Sequence, residues 1–135
     1  MKIKVLLIGL LLTGILSSCK KDLATDWVGT YTGVAGNSTV NRVVVSKVND
    51  ETIKMELQTL VLGTYYTYAT VADGKLANAN TVNISENGTV SSSPGNIYHF
   101  SGAGTRNGNN LILSGMGVNI NDASDQLYYT FNGNK

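Results

Sequence analysis

The sequence is poor in the residue types that most small catalytic and metal sites require. Its 135 residues include one Cys, one Pro and one His, and charged residues make up 14% of the chain. One cysteine cannot form an intramolecular disulfide, and one additional histidine leaves zinc without its usual ligand set. The basic residues form no cluster, which argues against a nucleic-acid partner. We therefore expect no metal and no cofactor, and a fold that depends on its hydrophobic core.

The single cysteine, Cys19, follows a long apolar segment. Lys2 and Lys4 precede the apolar run 5–16, which is the pattern of a secretory signal peptide. As a helix, the uncharged stretch that ends at Cys19 would reach about 22 Å, short of the roughly 30 Å that a spanning helix must cross. A transmembrane helix is therefore not expected.

The four residues Leu16-Ser17-Ser18-Cys19 resemble the lipobox of bacterial lipoproteins. The resemblance implies cleavage between Ser18 and Cys19 and acylation of Cys19. Several acyl chains on one residue would hold the protein firmly at a membrane. The next residue is Lys20 rather than the Asp that retains many such proteins in the inner membrane, so we expect the outer membrane, on its periplasmic or cell-surface side.

Cleavage would divide the chain into three parts: a signal peptide (1–18), a tether (19–25) and a β-barrel domain (26–135). Lys2 and Lys4 would leave with the signal, so the ten basic residues would fall to eight, against nine acidic ones. The mature net charge would then be near −1.

The remaining composition is typical of β-structure, because β-branched and aromatic residues fit a pleated surface and Gly and Asn suit tight turns. Strands are predicted over 27–34, 39–48, 52–62, 64–71, 79–85, 96–102, 111–120 and 126–132. Asp73-Gly74 and Asn87-Gly88 are predicted hairpin turns. This pattern predicts an all-β fold, an antiparallel meander of about eight strands that forms either a small barrel or a two-sheet sandwich.

Three short segments extend this prediction to a family. Residues 27–33 (WVGTYTG), 102–111 (GAGTRNGNNL) and 129–133 (YTFNG), together with the lipobox, are similar to the small lipocalin-like lipoproteins of Gram-negative bacteria. The resemblance implies an eight-stranded barrel. Most members of that group lack an assigned activity.

The sequence offers little for catalysis, and we expect that the chain is not an enzyme. If Tyr98 and Phe100 face inward, alternation places the only histidine, His99, on the outside of its strand. A Ser-His-acid triad would need His99, yet no G-x-S-x-G motif occurs. An oxygen-rich stretch, Asn119, Asn121, Asp122 and Asp125, lacks the EF-hand spacing and is interpreted as a turn.

Aromatic side chains are the remaining candidates for binding, since they suit both packing and contact with a sugar or a hydrophobic ligand. The predicted ligand contacts are Trp27, Tyr66, Tyr68, Tyr98, Tyr129 and Phe131. The competing hypothesis is a solid core, filled by Val44, Ile53, Met55, Leu57, Val82, Ile84, Leu111, Leu113, Leu127 and the inward aromatics. The partners predicted are a membrane through Cys19, and either a small hydrophobic or glycan ligand or another envelope protein.

Overall fold

The computed structural model describes residues 20–33, 40–93 and 96–135, and these form a closed antiparallel barrel of eight strands. A short 3-10 helix, Thr25–Trp27, precedes β1 (Gly29–Gly33), β2 (Arg42–Asn49), β3 (Thr52–Val61), β4 (Thr64–Asn78), β5 (Thr81–Ser93), β6 (Asn96–Asn107), β7 (Asn110–Asn119) and β8 (Gln126–Asn134). Each strand pairs with the next, and β1 pairs with β8. The all-β prediction is confirmed, and the barrel is the correct alternative. The predicted signal helix (1–18) and Cys19 lie outside the described residues.

The two ends of the barrel differ in what covers them. One end, called the proximal end below, carries the β2–β3, β4–β5 and β6–β7 turns. The N-terminal segment 20–28 also lies at this end, where it is hydrogen-bonded or adjacent to these turns. The other, the distal end, carries the β3–β4 and β7–β8 turns. The C-terminal Lys135 also lies at the proximal end, where its backbone NH donates to the Asn109 carbonyl.

The core follows from strand alternation. In β3, Ile53, Met55 and Leu57 are fully buried and alternate with the more accessible Lys54, Glu56 and Gln58, as the period of two predicts. Val82, Ile84, Leu111 and Leu113 are also in the core, and Leu127 packs against it.

The prediction that Val44 lies in the core was wrong. Val43 and Val45 are buried instead, opposite Leu57 and Met55 of β3. Three consecutive valines show no alternation of apolar and polar side chains, so the sequence does not indicate which of them face inward. The pairing with β3 decides this.

Two predicted turns were also wrong, because both dipeptides lie within strands. β4 continues through Asp73-Gly74, and β5 continues through Asn87-Gly88. The strand register shifts near each, between Ile53 and Met55 of the β3–β4 pair and between Ile84 and Gly88 of the β5–β6 pair. These glycines therefore accompany β-bulges, the alternative use of Gly in a strand.

Glycines on the inner wall of β6 and β7 make room for aromatic rings. Gly102 pairs with Gly115 across the two strands, and the Tyr129 hydroxyl lies beside both of them. Gly117 lies beside Phe100, whose ring stacks on that of Tyr129 with centroids 4.2 Å apart. A Cβ at Gly102 or Gly115 would overlap Tyr129 and the neighbouring backbone. The two aromatic rings are thus fitted to a wall that has no side chains where they touch it.

Replacing Gly115 with Ala should therefore destabilise the barrel. The added methyl would overlap the Ser101 carbonyl oxygen and the Tyr129 ring, and overpacking of this kind costs about 1–3 kcal/mol. Urea unfolding followed by circular dichroism measures the change. Ser114→Ala, at the adjacent exposed position, is the control and should change the free energy of unfolding by less than about 0.5 kcal/mol. Equal stability of Gly115→Ala and the unmodified protein would contradict this account of the packing.

Candidate functional site

The six predicted ligand contacts lie in different places. Trp27, Tyr98, Tyr129 and Phe131 belong to the buried core. Tyr66 is 56% exposed on β4, and Tyr68 is on the same strand, with its side chain outside the described part. Buried side chains have no surface to offer a ligand, so this placement argues against a shared site formed by the first four.

The interior around these aromatics is filled. Several core side chains have no accessible surface, which means that no space large enough for a water molecule touches them. They include Trp27, Tyr31, Ile53, Met55, Leu57, Val71, Phe100 and Leu111. Along this part of the barrel, the arrangement matches the solid-core hypothesis rather than an open ligand cavity.

Trp27 closes the proximal end. Its indole NH donates to the Ala79 carbonyl at 3.0 Å, and its own carbonyl accepts from the Tyr31 hydroxyl at 2.9 Å. The Arg106 guanidinium lies 5.8 Å from the centre of the indole ring and donates to the Gly108 carbonyl at 2.9 Å. Lys135 donates to the Val28 carbonyl at 3.0 Å. Trp27 is therefore a structural plug, fixed by hydrogen bonds and a cation–π contact.

Charged side chains attach the N-terminal segment to the β2–β3 turn. The Lys47 ammonium donates to Asp22 Oδ2 at 2.6 Å and lies 2.8 Å from Asp50 Oδ1. Its hydrogen bond holds the pKa of the Asp22 carboxyl well below its usual range, with further help from Thr25. The Lys20 ammonium lies 3.2 Å from Glu51. The chain is thus held at the proximal end from the residue that follows Cys19.

The acidic β7–β8 turn uses its oxygens internally. Asp125 accepts hydrogen bonds from the Tyr98 hydroxyl at 2.7 Å and from the Asn119 amide at 2.8 Å. The Asp122 carboxylate accepts from the Ser124 hydroxyl, which lowers the pKa of Asp122. These bonds agree with the interpretation of the stretch as a turn. Within residues 20–33, 40–93 and 96–135, no group of three His, Cys, Asp or Glu side chains is arranged to hold a metal ion.

His99 faces outward, as alternation predicts, between the buried Tyr98 and Phe100. It borders a shallow depression of about 250 Å³ on the outside of β6 and β7, together with Ser101, Met116, Val118, Asn119 and Ile120. Three of its six lining residues, Met116, Val118 and Ile120, are apolar. It adds to the apolar character of the barrel's outer surface near the distal end.

Exposed apolar side chains are concentrated towards the distal end. Of the ten large ones exposed among the described residues, seven lie in that half: Leu60, Val61, Leu62, Tyr66, Ile97, Ile120 and Tyr128. The proximal end carries the ion pairs described above. Exposed apolar groups that cluster mark interaction surfaces. The Leu60–Leu62 part of this surface is not among the predicted contacts, although its sequence signal is that residues 57–72 include no charged side chain.

No helix among the residues that the structure describes has the length and apolar composition to span a bilayer.

The hydroxyl of Tyr129 is buried without a hydrogen-bond partner, and burial raises the pKa of this tyrosine well above its usual value. Tyr129→Phe should therefore retain the stability of the protein or increase it by up to about 1 kcal/mol, because the change removes an unsatisfied polar group. Tyr98→Phe is the control. It removes a hydrogen bond to the Asp125 carboxylate and should cost about 1.5–3 kcal/mol.

The same pKa gives a pH dependence. Because the folded state keeps Tyr129 protonated while the unfolded state ionises near pH 10, the contribution of Tyr129 to the free energy of unfolding is independent of pH below pH 10 and falls as the pH rises above 10. Urea unfolding at neutral and alkaline pH should show a smaller alkaline loss for Tyr129→Phe than for the unmodified chain. Identical losses would show that Tyr129 ionises as freely in the folded protein as in water.

The glycine-rich segment that carries the family resemblance, 102–111, spans the β6–β7 hairpin and includes wall positions that the aromatic rings require. Comparisons with models of known families, with curated proteins and with solved structures found no match to this chain. The similarity to lipocalin-like lipoproteins therefore rests on the short motifs alone.

Proposed function

We propose that this chain is a non-enzymatic lipoprotein of the bacterial envelope, anchored through Cys19, whose barrel binds a partner with its outer surface. The observation that carries the binding part is the filled interior. Trp27, Phe100 and Tyr129 occupy the space that a ligand would need, so contact surface is available outside the barrel. A packed barrel suits the protein-interaction hypothesis better than the enclosed small hydrophobic or glycan ligand.

The anchoring part rests on the lipobox resemblance and agrees with the way the N-terminal segment is held. Lys20 and Asp22 are tied to the β2–β3 turn, so a lipid on Cys19 would keep the proximal end near the membrane. The apolar distal surface lies at the opposite end of the barrel from this attachment. An outer-membrane location, favoured by Lys20 after Cys19, belongs to the same proposal.

Cys19→Ala should abolish anchoring. Without the thiol there is no site for the diacylglycerol, so the precursor should keep its leader and should incorporate no radioactive fatty acid when expressed in a Gram-negative host. Ser18→Ala, which keeps a small residue before the cysteine, should still be labelled and processed. A fatty-acid label on Cys19→Ala would refute the anchor.

The filled interior predicts a negative result with small ligands. Lipids, pigments and glycans added to the purified protein should leave the emission of Trp27 and the near-ultraviolet circular dichroism of the core aromatics unchanged, because these rings are already fully packed. A saturable change in either signal would favour the enclosed-ligand hypothesis instead.

A further inference from the structure

The β3–β4 turn places a leucine where the backbone disfavours it. Val61 pairs with Thr64, and the two residues between them, Leu62 and Gly63, have φ values of 48° and 82°. Positive φ at both central positions is the geometry of a type I′ turn, whose first position usually holds Asn, Asp or Gly. A bulky side chain in this region is strained. Leu62 is nevertheless there, and its side chain is 101% exposed.

The residues behind Leu62 form layers of different chemistry. Leu60 and Val61 are 46% and 48% exposed beside it. Tyr65 and Tyr66 follow on β4, and the Arg42 guanidinium lies 3.7 Å from the centre of the Tyr65 ring. Leu62 and Val61 come first from the tip inward, Leu60 pairs with Tyr65 at the next level, and Arg42 lies further inward, opposite Gln58.

We propose that this hairpin tip, Leu60–Gly63, inserts into the interfacial region of a lipid bilayer. The same order of side chains suits a membrane surface: aliphatic groups at the acyl boundary, tyrosines at the level of the headgroups, and a cation near the phosphates. An apolar pocket on a protein would accept Leu62, but it would not require the tyrosine and arginine layers behind it. A lipid surface accounts for all three.

The tip and the anchor can reach one membrane. β3 runs from the turn that holds Lys20 and Asp22 to the tip, about 30 Å along the strand. With the β3 side of the barrel facing the bilayer, Cys19 and Leu62 would both contact it, one at each end. This orientation rests on the proposed function, whereas insertion of the tip does not. The acyl anchor and the inserted tip would reinforce each other, because both belong to one molecule.

Binding to vesicles tests the tip without the anchor. All described contacts of the barrel lie between Lys20 and Lys135, so a chain that begins at Lys20 keeps them. We expect it to sediment with phosphatidylcholine vesicles, and Leu62→Asn to lower the partition coefficient at least tenfold. Ile112→Asn, at a residue 46% exposed on the outer face of β7, should not change it. Added phosphatidylglycerol should strengthen binding only slightly, because Leu60–Gly63 carries no charge and the single cation Arg42 lies behind it.

Leu62→Asn separates a binding role from a structural one. Asn adopts positive φ more readily than Leu, so the variant should unfold at a higher temperature while it binds less. Loss of binding could then not be attributed to unfolding. A lower melting temperature would show that the leucine has a structural function.

The second measurement is the depth to which the hairpin tip enters the bilayer. Leu62→Trp should be quenched by brominated phosphatidylcholine, whereas Ile112→Trp should not, and the buried Trp27 supplies a constant background. Unquenched Trp at position 62, or equal vesicle binding by the unmodified and Leu62→Asn chains, overturns the proposal. The tip would then fit an apolar pocket on a protein instead. Because this chain lacks Cys19, either result is independent of the fatty-acid labelling.

Discussion

The contact between aromatic rings and a glycine-lined wall determines how the rest of this barrel is organised. Tyr129 and Phe100 stack on each other, and both fit against β6 and β7 where Gly102, Gly115 and Gly117 leave room. An eight-stranded barrel encloses just enough space for its own side chains. Once these rings are in place, little interior volume remains beside them. The packing that stabilises the barrel therefore also fills the space beside these rings.

The two ends of the barrel have different surface chemistry. At the proximal end, Trp27, Arg106 and Lys135 close the opening with hydrogen bonds and cation–π contacts, and Lys47 holds the incoming chain. Lys20 and Lys47 form ion pairs there, and Lys135 donates to backbone carbonyls. The distal end presents apolar side chains with few charges between them. The two ends therefore differ in chemistry: hydrogen bonds and ion pairs hold the chain at one end, and apolar side chains are exposed at the other.

The sequence predicted the architecture well because alternation is local: in β3, Ile53, Met55 and Leu57 face inward as their spacing indicates. The prediction failed where the orientation of a side chain or the position of a turn depends on pairing with another strand. The phase of Val44 is set by pairing with β3, and Asp73-Gly74 became part of β4 because a bulge could absorb it. The residues next to Trp27 and Tyr129 in the sequence also do not indicate that these two side chains are buried. Aromatic side chains suit a binding site as well as a core, and the closure of the barrel placed these two among the buried residues.

Two residues depart from the local rules that the rest of the chain obeys. Tyr129 buries a hydroxyl without a partner, and Leu62 holds a bulky side chain at positive φ. Departures of this kind are expected at functional sites, but burial separates the two cases. The Tyr129 hydroxyl lies between backbone segments and cannot meet another molecule. Leu62 stands fully outside, where no contact within the described protein compensates its strain or covers its apolar surface. The proposed lipid interface would cover this apolar surface, and the aromatic and cationic side chains behind Leu62 suit such an interface.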